Sequence, residues 1–181
     1  VTTVQEPTRI ATAARSGGPA VLALRQAGLS YGSRALWDGL DLDLAPGEFV
    51  AVLGPNGAGK TSLLRTVLGQ QRLTSGTMSF LGRPVRRGHR RIGYIPQQRL
   101  MESGTPLRAR DMIAQGVTGH RWGLRPERPV ERERIDRIVD EVGATDFADA
   151  PVAELSGGEQ QRTRVGQAIA ADPALLLCDE P

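Results

Sequence analysis

Lysine is almost missing from this chain. Of its 23 basic residues, 22 are arginine and only Lys60 is lysine. Cysteine is nearly as scarce: Cys178 stands alone, which excludes an intramolecular disulfide framework and fits a reducing cytosol. No apolar run approaches the roughly 18 residues that a membrane-spanning helix needs. No apolar stretch at the N-terminus suggests a secretory signal. There is no strong excess of one charge either. Twenty-three basic against 20 acidic residues leave a net charge of +3, too balanced to announce a nucleic-acid binder. What remains is an ordinary soluble composition, 39% hydrophobic and 24% charged, in 181 residues. That length suits one domain, or one with a small subdomain, and buries a core without disulfides.

Residues 1–20 are polar and close on Ser16-Gly17-Gly18-Pro19, which predicts a disordered arm. From Val21 the pattern predicts strands. Leu40-Asp41-Leu42-Asp43-Leu44 alternates, as a strand with one wet face does. Phe49–Leu53 is a continuous apolar run, expected of a strand buried on both faces. A helix is expected over Ser62–Leu68, stopped by Gly69, and short strands over Thr77–Leu81 and Arg91–Ile95. Residues 100–155 predict a mainly helical section. Its first helix runs over Arg108–Gln115 and stops at Gly116. A Gly/Pro/Arg-rich connection with Trp122 follows. In the second helix, Ile135, Ile138, Val139 and Val142 share a face. A further helix over Gly158–Ala171 and an apolar strand at Ala174–Leu177 close the chain.

Gly54-Pro55-Asn56-Gly57-Ala58-Gly59-Lys60-Thr61 matches G-x-x-x-x-G-K-[ST] in full. Each part has a reason. Glycines let backbone N–H groups approach phosphate oxygens without a Cβ in the way. Those groups and the following helix N-terminus form an anion cradle. The Lys60 ammonium reaches the β- and γ-phosphates, and the Thr61 hydroxyl suits Mg²⁺. The one lysine of the chain thus sits where a phosphate loop requires it.

Leu175–Glu180 is a strand pattern ending in two carboxylates. Asp179 at a strand's C-terminal edge suits a Mg²⁺ ion, and Glu180 suits a water poised for in-line attack. Taken alone, the pair is equally a strand end with solvated acids. In Leu155-Ser156-Gly157-Gly158-Glu159-Gln160, Ser156 and Glu159 form a capping box. The two glycines offer N–H groups to an anion. By itself this is also an ordinary capped helix. The run Arg83, Arg86, Arg87, Arg90 and Arg91 reads as a solvated face. His89 and His120 lack metal-ligand spacing.

Taken together, these stretches resemble the ATP-binding-cassette ATPases, the nucleotide-binding subunits of ABC transporters, from Ala23 to Pro181. Gly54–Thr61 resembles Walker A, Leu155–Gln160 the signature, and Leu175–Glu180 Walker B. Gln97 in Tyr94-Ile95-Pro96-Gln97 resembles the Q-loop glutamine, and Tyr31 the aromatic that stacks on adenine. The spacing agrees: Gln97 follows Lys60 by 37 residues, Ser156 follows Gln97 by 59, and Asp179 follows Ser156 by 23. Within the family, Arg91–Gln97 and the Gly119–Arg125 connector are most similar to the zinc/manganese importer group.

The resemblance implies an α/β fold, a P-loop NTPase (ABC cassette) with a small antiparallel β region and a helical subdomain. It divides the chain into the arm 1–20, a first core part 21–99, the helical subdomain 100–155, and the signature helix with the Walker B strand, 156–181. It implies ATP and Mg²⁺ as cofactors. Nucleotide contacts fall to Tyr31, Gly54, Pro55, Asn56, Gly57, Ala58, Gly59, Lys60, Thr61, Ser62, Gln97, Ser156, Gly158 and Gln160. Metal contacts fall to Thr61, Gln97 and Asp179, and catalysis to Glu180, Gln97 and Lys60. The implied partners are an integral membrane permease and a second cassette, head-to-tail, as a homodimer or with another chain. A substrate-binding protein joins them if the system is an importer; no nucleic acid is implied. The implied place is the cytoplasm, peripheral at the inner face of the membrane.

The family's D-loop and switch histidine follow Walker B, so both would fall after Pro181 and the C-terminal part of the core is expected to be missing. The 181 residues are therefore expected to bind nucleotide and hydrolyse it poorly. A truncated, non-hydrolysing nucleotide-binding fragment and a non-transport cassette protein are the alternatives. Cys178, where leucine is common, is expected to be a small buried hydrophobe. Gly166 inside the signature helix costs about 1 kcal/mol against alanine, and the sequence offers no reason for it.

Overall fold

The computed structural model describes residues 9–13, 19–97, 107–119 and 128–179. The chain divides into two units, Val1–His89 and Arg90–Pro181.

The first unit carries strands β1 (Arg9–Ala13), β2 (Leu22–Tyr31), β3 (Arg34–Leu44), β4 (Phe49–Leu53), β5 (Ser75–Phe80) and β6 (Arg83–Pro84), with helix α1 (Lys60–Val67). Four of these strands form an antiparallel sheet in the order β3-β2-β5-β6. The register sets Leu22 against both Leu44 and Phe80, so one face gathers Leu22, Leu24, Ala27, Leu29, Leu44 and Phe80 into a core. Along β3, Asp41 and Asp43 are exposed while Leu40 and Leu42 are half-buried and Leu44 buried, the alternation the sequence predicts. A bulge interrupts β2 at Gln26, whose φ is 45°. Asp41 accepts from both the backbone N–H and the side-chain amide of Gln26 there.

Two expectations for this unit change. Arg9–Ala13, within the segment read as a disordered arm, is a strand that pairs antiparallel with β4 in a two-stranded sheet. β4 is not buried on both faces: Phe49 is 75% exposed and Leu53 58%. Its one ladder among the described residues is the ribbon with β1, which covers an edge and not a face. An apolar run records that a strand is able to be buried; what packs on it decides whether it is. The helix α1 ends as expected, with Gly69 at φ 68°. A Cβ there would lie 2.5 Å from the Arg87 backbone nitrogen, so only glycine fits.

The second unit holds β7 (Ile92–Ile95), α2 (Ala109–Thr118), α3 (Pro129–Glu141), α4 (Gly157–Ile169) and β8 (Leu175–Cys178), with 3₁₀ turns at Thr145–Phe147 and Val152–Glu154. The three helices share a core built from Ala109, Ile113, Ile135, Ile138, Val139, Phe147 and Leu155 among others. The predicted face of α3 is the one that is buried. Arg162 ties α4 to the end of α3: it donates to the Gly143 carbonyl at 3.0 Å and lies over the Phe147 ring. An ion pair, Arg110–Asp136 at 2.5 Å, joins α2 to α3.

Gly116 does not stop α2, which runs on to Thr118. It marks instead where α2 meets α4: a Cβ on Gly116 would stand 2.1 Å from the Gln167 carbonyl oxygen. Gly166 takes the facing role, since its Cβ would lie 3.0 Å from Ile113. The glycine without a reason in the sequence is thus a packing residue at a close helix crossing. Strand β8 pairs parallel with β7, and its residues alternate between buried and exposed. Cys178 lies on the exposed side, contrary to the expectation of burial, because strand periodicity places it opposite Leu177. Trp122 with most of its connection, His120 and Glu180 lie outside the described residues. Among the described residues, no helix is long and apolar enough to cross a membrane.

Candidate functional site

In the first unit, the sequence motif becomes a turn between β4 and α1. Gly57 and Gly59 both take left-handed backbone, with φ 81° and 91°. Ala58 N–H donates to the Pro55 carbonyl at 3.1 Å and closes the turn. Lys60 begins α1 and folds back across the loop. Its Nζ donates to the Gly54 carbonyl at 2.7 Å and to the Pro55 carbonyl at 3.2 Å. Gly54, Pro55, Asn56 and Gly57 are exposed, as is Thr61, while Ala58 is buried and holds the turn down. The Ser62 carbonyl accepts from the Thr66 hydroxyl at 2.8 Å, inside α1. No side chain caps α1, and its first turn carries no acid. Its start thus carries neither a side-chain cap nor an acid of its own, the setting in which a helix N-terminus accepts an anion.

The sequence reading missed what supports this loop. β3 lies against it: a Cβ on Gly59 would meet Trp37 Cδ1 at 3.1 Å and Leu36 Cδ1 at 3.2 Å. The Arg34 Nη2 atom is 4.0 Å from a Cβ built on Gly57. The strand register shows how this comes about. Tyr31 and Arg34 pair across the hairpin, so the strand after Tyr31 begins at once and must run back past the loop. Tyr31 itself is 52% exposed, with its hydroxyl donating to Gln71 Oε1 at 2.8 Å.

In the second unit, the parallel pairing of β7 and β8 brings two predicted residues to one edge. Asp179 N–H donates to the Ile95 carbonyl at 3.0 Å, and Gln97 follows Ile95 by two residues. Asp179 is buried, and its Oδ2 accepts from the Tyr94 hydroxyl at 3.3 Å. Tyr94 was present in the motif but unassigned; parallel register is what turns it toward the acid. Gln97 is exposed.

The signature stretch forms the predicted cap. Ser156 N–H donates to Glu159 Oε2 at 2.8 Å, the Ser156 hydroxyl donates to the same oxygen at 2.6 Å, and Glu159 N–H donates to Ser156 Oγ at 3.4 Å. The Ser156 hydroxyl and N–H hold the Glu159 carboxyl below its ordinary range, and Arg162 adds to this. Ser156, Gly157 and Gly158 are exposed. Gln160 is not with them: it is buried, and its amide donates to the Leu155 carbonyl at 3.1 Å. Its side chain secures the start of α4 from inside.

The residues present fit the implied groups. Loop amides and one ammonium are a donor set for phosphate, and the Thr61 hydroxyl and Asp179 carboxylate are hard oxygen donors of the kind Mg²⁺ takes. Among the described residues, no cluster of three His, Cys, Asp or Glu side chains is placed to hold a metal ion.

Comparison with known proteins agrees with this geometry. The chain is 38% identical over 147 residues to the zinc transport system ATP-binding protein TroB of Treponema pallidum, covering 81% of this chain and 54% of that protein. It is 36% identical over 162 residues to the zinc import ATP-binding protein ZnuC of Pseudomonas putida, covering 90% and 56%. The chain thus spans about half the length of these curated relatives. Among solved structures, a metal-chelate-type ABC transporter in an inward-facing conformation matches with a TM-score of 0.76 at 27% identity, over 91% of this chain and 61% of that one. The family model described as ABC transporter matches residues 37–181. With the phosphate loop, the parallel strand pair and the capped signature helix all inside that match, the chain belongs to the ABC transporter family as an ATP-binding cassette.

Proposed function

We propose that this chain is the nucleotide-binding part of an ATPase subunit that drives import of a divalent metal ion, zinc or manganese, across a membrane. The observation that carries the nucleotide part is the loop itself. It is a complete motif set between a strand and a helix, with two left-handed glycines and an uncapped helix start under the one lysine of the chain. The zinc systems named for the two curated relatives support the choice of cargo.

The roles follow from the chemistry. Gly57, Ala58, Gly59, Lys60, Thr61 and Ser62 present amides to the phosphates, and the Lys60 ammonium leaves the Gly54 and Pro55 carbonyls for the nucleotide. Tyr31 offers its exposed ring to the base. Thr61, Asp179 and Gln97 would hold Mg²⁺, which when bound neutralises charge between the phosphates. Glu180 orients the attacking water. Ser156 and Gly158, exposed at the start of α4, face the nucleotide of a second cassette, and Gln160 supports them from beneath. The subunit works head-to-tail with that second cassette, beneath an integral membrane permease. It lies in the cytoplasm at the inner face of the membrane and acts with a substrate-binding protein on the outer side.

The test is nucleotide binding by the wild type and Lys60→Ala. Saturating ATP with Mg²⁺ should raise the wild-type melting temperature, since a ligand at a hundred times its Kd adds about 2.7 kcal/mol. Lys60→Ala should lose that rise. No rise in the wild type, or an equal rise in the variant, refutes the phosphate-loop reading. Zinc uptake by cells that lack the gene tests the cargo: unchanged uptake removes zinc.

A further inference from the structure

We propose that Tyr94 is a positioning residue of the metal site, its hydroxyl setting the plane in which Asp179 presents its carboxylate to Mg²⁺. This rests on the metal role given to Asp179 above and adds a residue which that role does not contain.

The contact follows from register. β7 and β8 run parallel with Tyr94 opposite Leu177. Side chains two apart on a strand share a face, so Asp179 falls on the face of Tyr94, one step beyond its partner. There the Tyr94 hydroxyl donates to Asp179 Oδ2 at 3.3 Å.

Both ends of the contact are firmly mounted. The backbone of Asp179 is held by its N–H, which donates to the Ile95 carbonyl at 3.0 Å. β7 is wedged between β8 and the end of α4. A Cβ on Gly93 would stand 2.7 Å from the Ala168 carbonyl oxygen and 2.9 Å from Leu176 Cδ1. Just before β7, the Arg91 carbonyl accepts from the Ala174 N–H at 2.8 Å. The tyrosine beside Gly93 therefore has little backbone freedom.

An aspartate needs such a partner. Its last torsion is broad, so the side chain alone sets no plane for the carboxylate. Asp179 is also buried, where a carboxylate is costly unless hydrogen bonds hold it. A phenol supplies one O–H at the end of a rigid ring and carries no charge at neutral pH. Groups that hydrogen-bond a ligating carboxylate in this way change metal affinity by about 10–100-fold. At 3.3 Å the contact is long for an O–H on a carboxylate, which places the expected effect at the low end of that range. Gln97 follows Tyr94 by three residues, so the stretch that carries one metal contact also orients the other.

The experiment titrates ATP into the chain by calorimetry, once with EDTA and once with saturating Mn²⁺ in place of Mg²⁺. The proteins are the wild type, Tyr94→Phe, Asp179→Asn and the double variant. The ratio of the two affinities is the metal's contribution, and electron paramagnetic resonance reads the bound Mn²⁺ directly. Tyr94→Phe keeps the ring and removes only the O–H. It should keep the wild-type affinity in EDTA, lose about tenfold of the gain from Mn²⁺, and change the Mn²⁺ spectrum. Asp179→Asn should lose at least as much. Adding Tyr94→Phe to it should cost little more, because the hydroxyl acts through the carboxylate. An unchanged gain in Tyr94→Phe overturns the proposal. An equal fall with and without metal overturns it too, since that would make Tyr94 a structural residue, as does a full further loss in the double variant. If Asp179→Asn loses the gain and Tyr94→Phe does not, this proposal falls and the metal role of Asp179 stands. If the wild type gains nothing from Mn²⁺, or Asp179→Asn keeps the whole gain, both fall.

Discussion

Two glycine-bearing turns open helices in this molecule, and they are built on opposite plans. Before α1, Gly57 and Gly59 adopt φ of 81° and 91°, and a Cβ on Gly59 would press on Trp37 and Leu36. At the start of α4, Gly157 and Gly158 are ordinary helical residues with nothing among the described residues within 4 Å of a Cβ on either. The helix caps differ in the same sense. α1 starts on Gly59 with no side-chain cap, whereas α4 starts on Ser156 with a full capping box to Glu159. The first turn is a shape the chain needs for its own fold, with no acid of its own at the helix start. The second is held by its own capping box, and among the described residues nothing crowds its glycines. A glycine that the fold does not require leaves room for something that approaches from outside; in the function proposed above, that is the nucleotide of a facing cassette.

The contrast is broken most directly at Gly59. Gly59→Ala should cost about 1–3 kcal/mol, the strain of a left-handed non-glycine residue, besides the crowding against Trp37. Urea unfolding measures it. ATP affinity should fall by more than about tenfold with it, because a shift in the loop misaligns several amides at once. Wild-type stability in this variant would show that the loop relaxes at no cost and that its glycines are no more demanded than those of α4.

Acid sharpens the contrast from the other side. The Glu159 carboxyl is held below its ordinary range chiefly by the Ser156 hydroxyl and N–H. A carboxyl so depressed contributes stability that is present above its unfolded pKa and lost as pH falls through the folded one. The start of α4 should therefore weaken only in the acid range, below about pH 4 where a free glutamate titrates. Glu159→Gln should melt below the wild type at neutral pH, with the gap closing as pH falls through that range. A gap that stays constant with pH would mean that the charge of Glu159 adds nothing to the cap. α1, without an acid in its first turn, has no such dependence.

Much of both turns was legible in the sequence, because each rests on local chemistry. Gly54–Thr61 and Ser156–Glu159 are read from neighbours in the chain, as are the alternation of β3 and the buried face of α3. What the sequence withheld depends on residues far apart. Gly116 looked like a helix stop and Gly166 like a defect until α2 and α4 were seen to cross at both. Phe49 and Leu53 looked buried because apolarity is a property of a strand, while burial belongs to its neighbours. Cys178 was misjudged for the same reason, since a strand with one covered face exposes every second residue. The support that Arg34, Leu36 and Trp37 give the phosphate loop was hidden because it comes from a different strand. Gln160 was placed with the exposed signature residues by its position in the motif, and only the turn of the helix carries it inside.

The smallest expected change in stability is also the most telling. Gly158→Ala should leave unfolding within about 0.5 kcal/mol of the wild type, on the stabilising side, since alanine is the better helix former and the site is open. By the same substitution at Gly59 the fold itself is damaged. If Gly158 serves an incoming nucleotide, its cost must appear elsewhere. The added methyl group would stand where the triphosphate of a facing cassette has to approach the amides of α4. ATP-dependent association of the full-length subunit should therefore fail in Gly158→Ala while ATP binding by each single cassette is kept. Sedimentation with and without ATP and Mg²⁺ reads the first, and titration reads the second. A variant that associates normally would leave the open glycine of α4 without any ligand to explain it, and the difference between the two turns would be one of geometry alone.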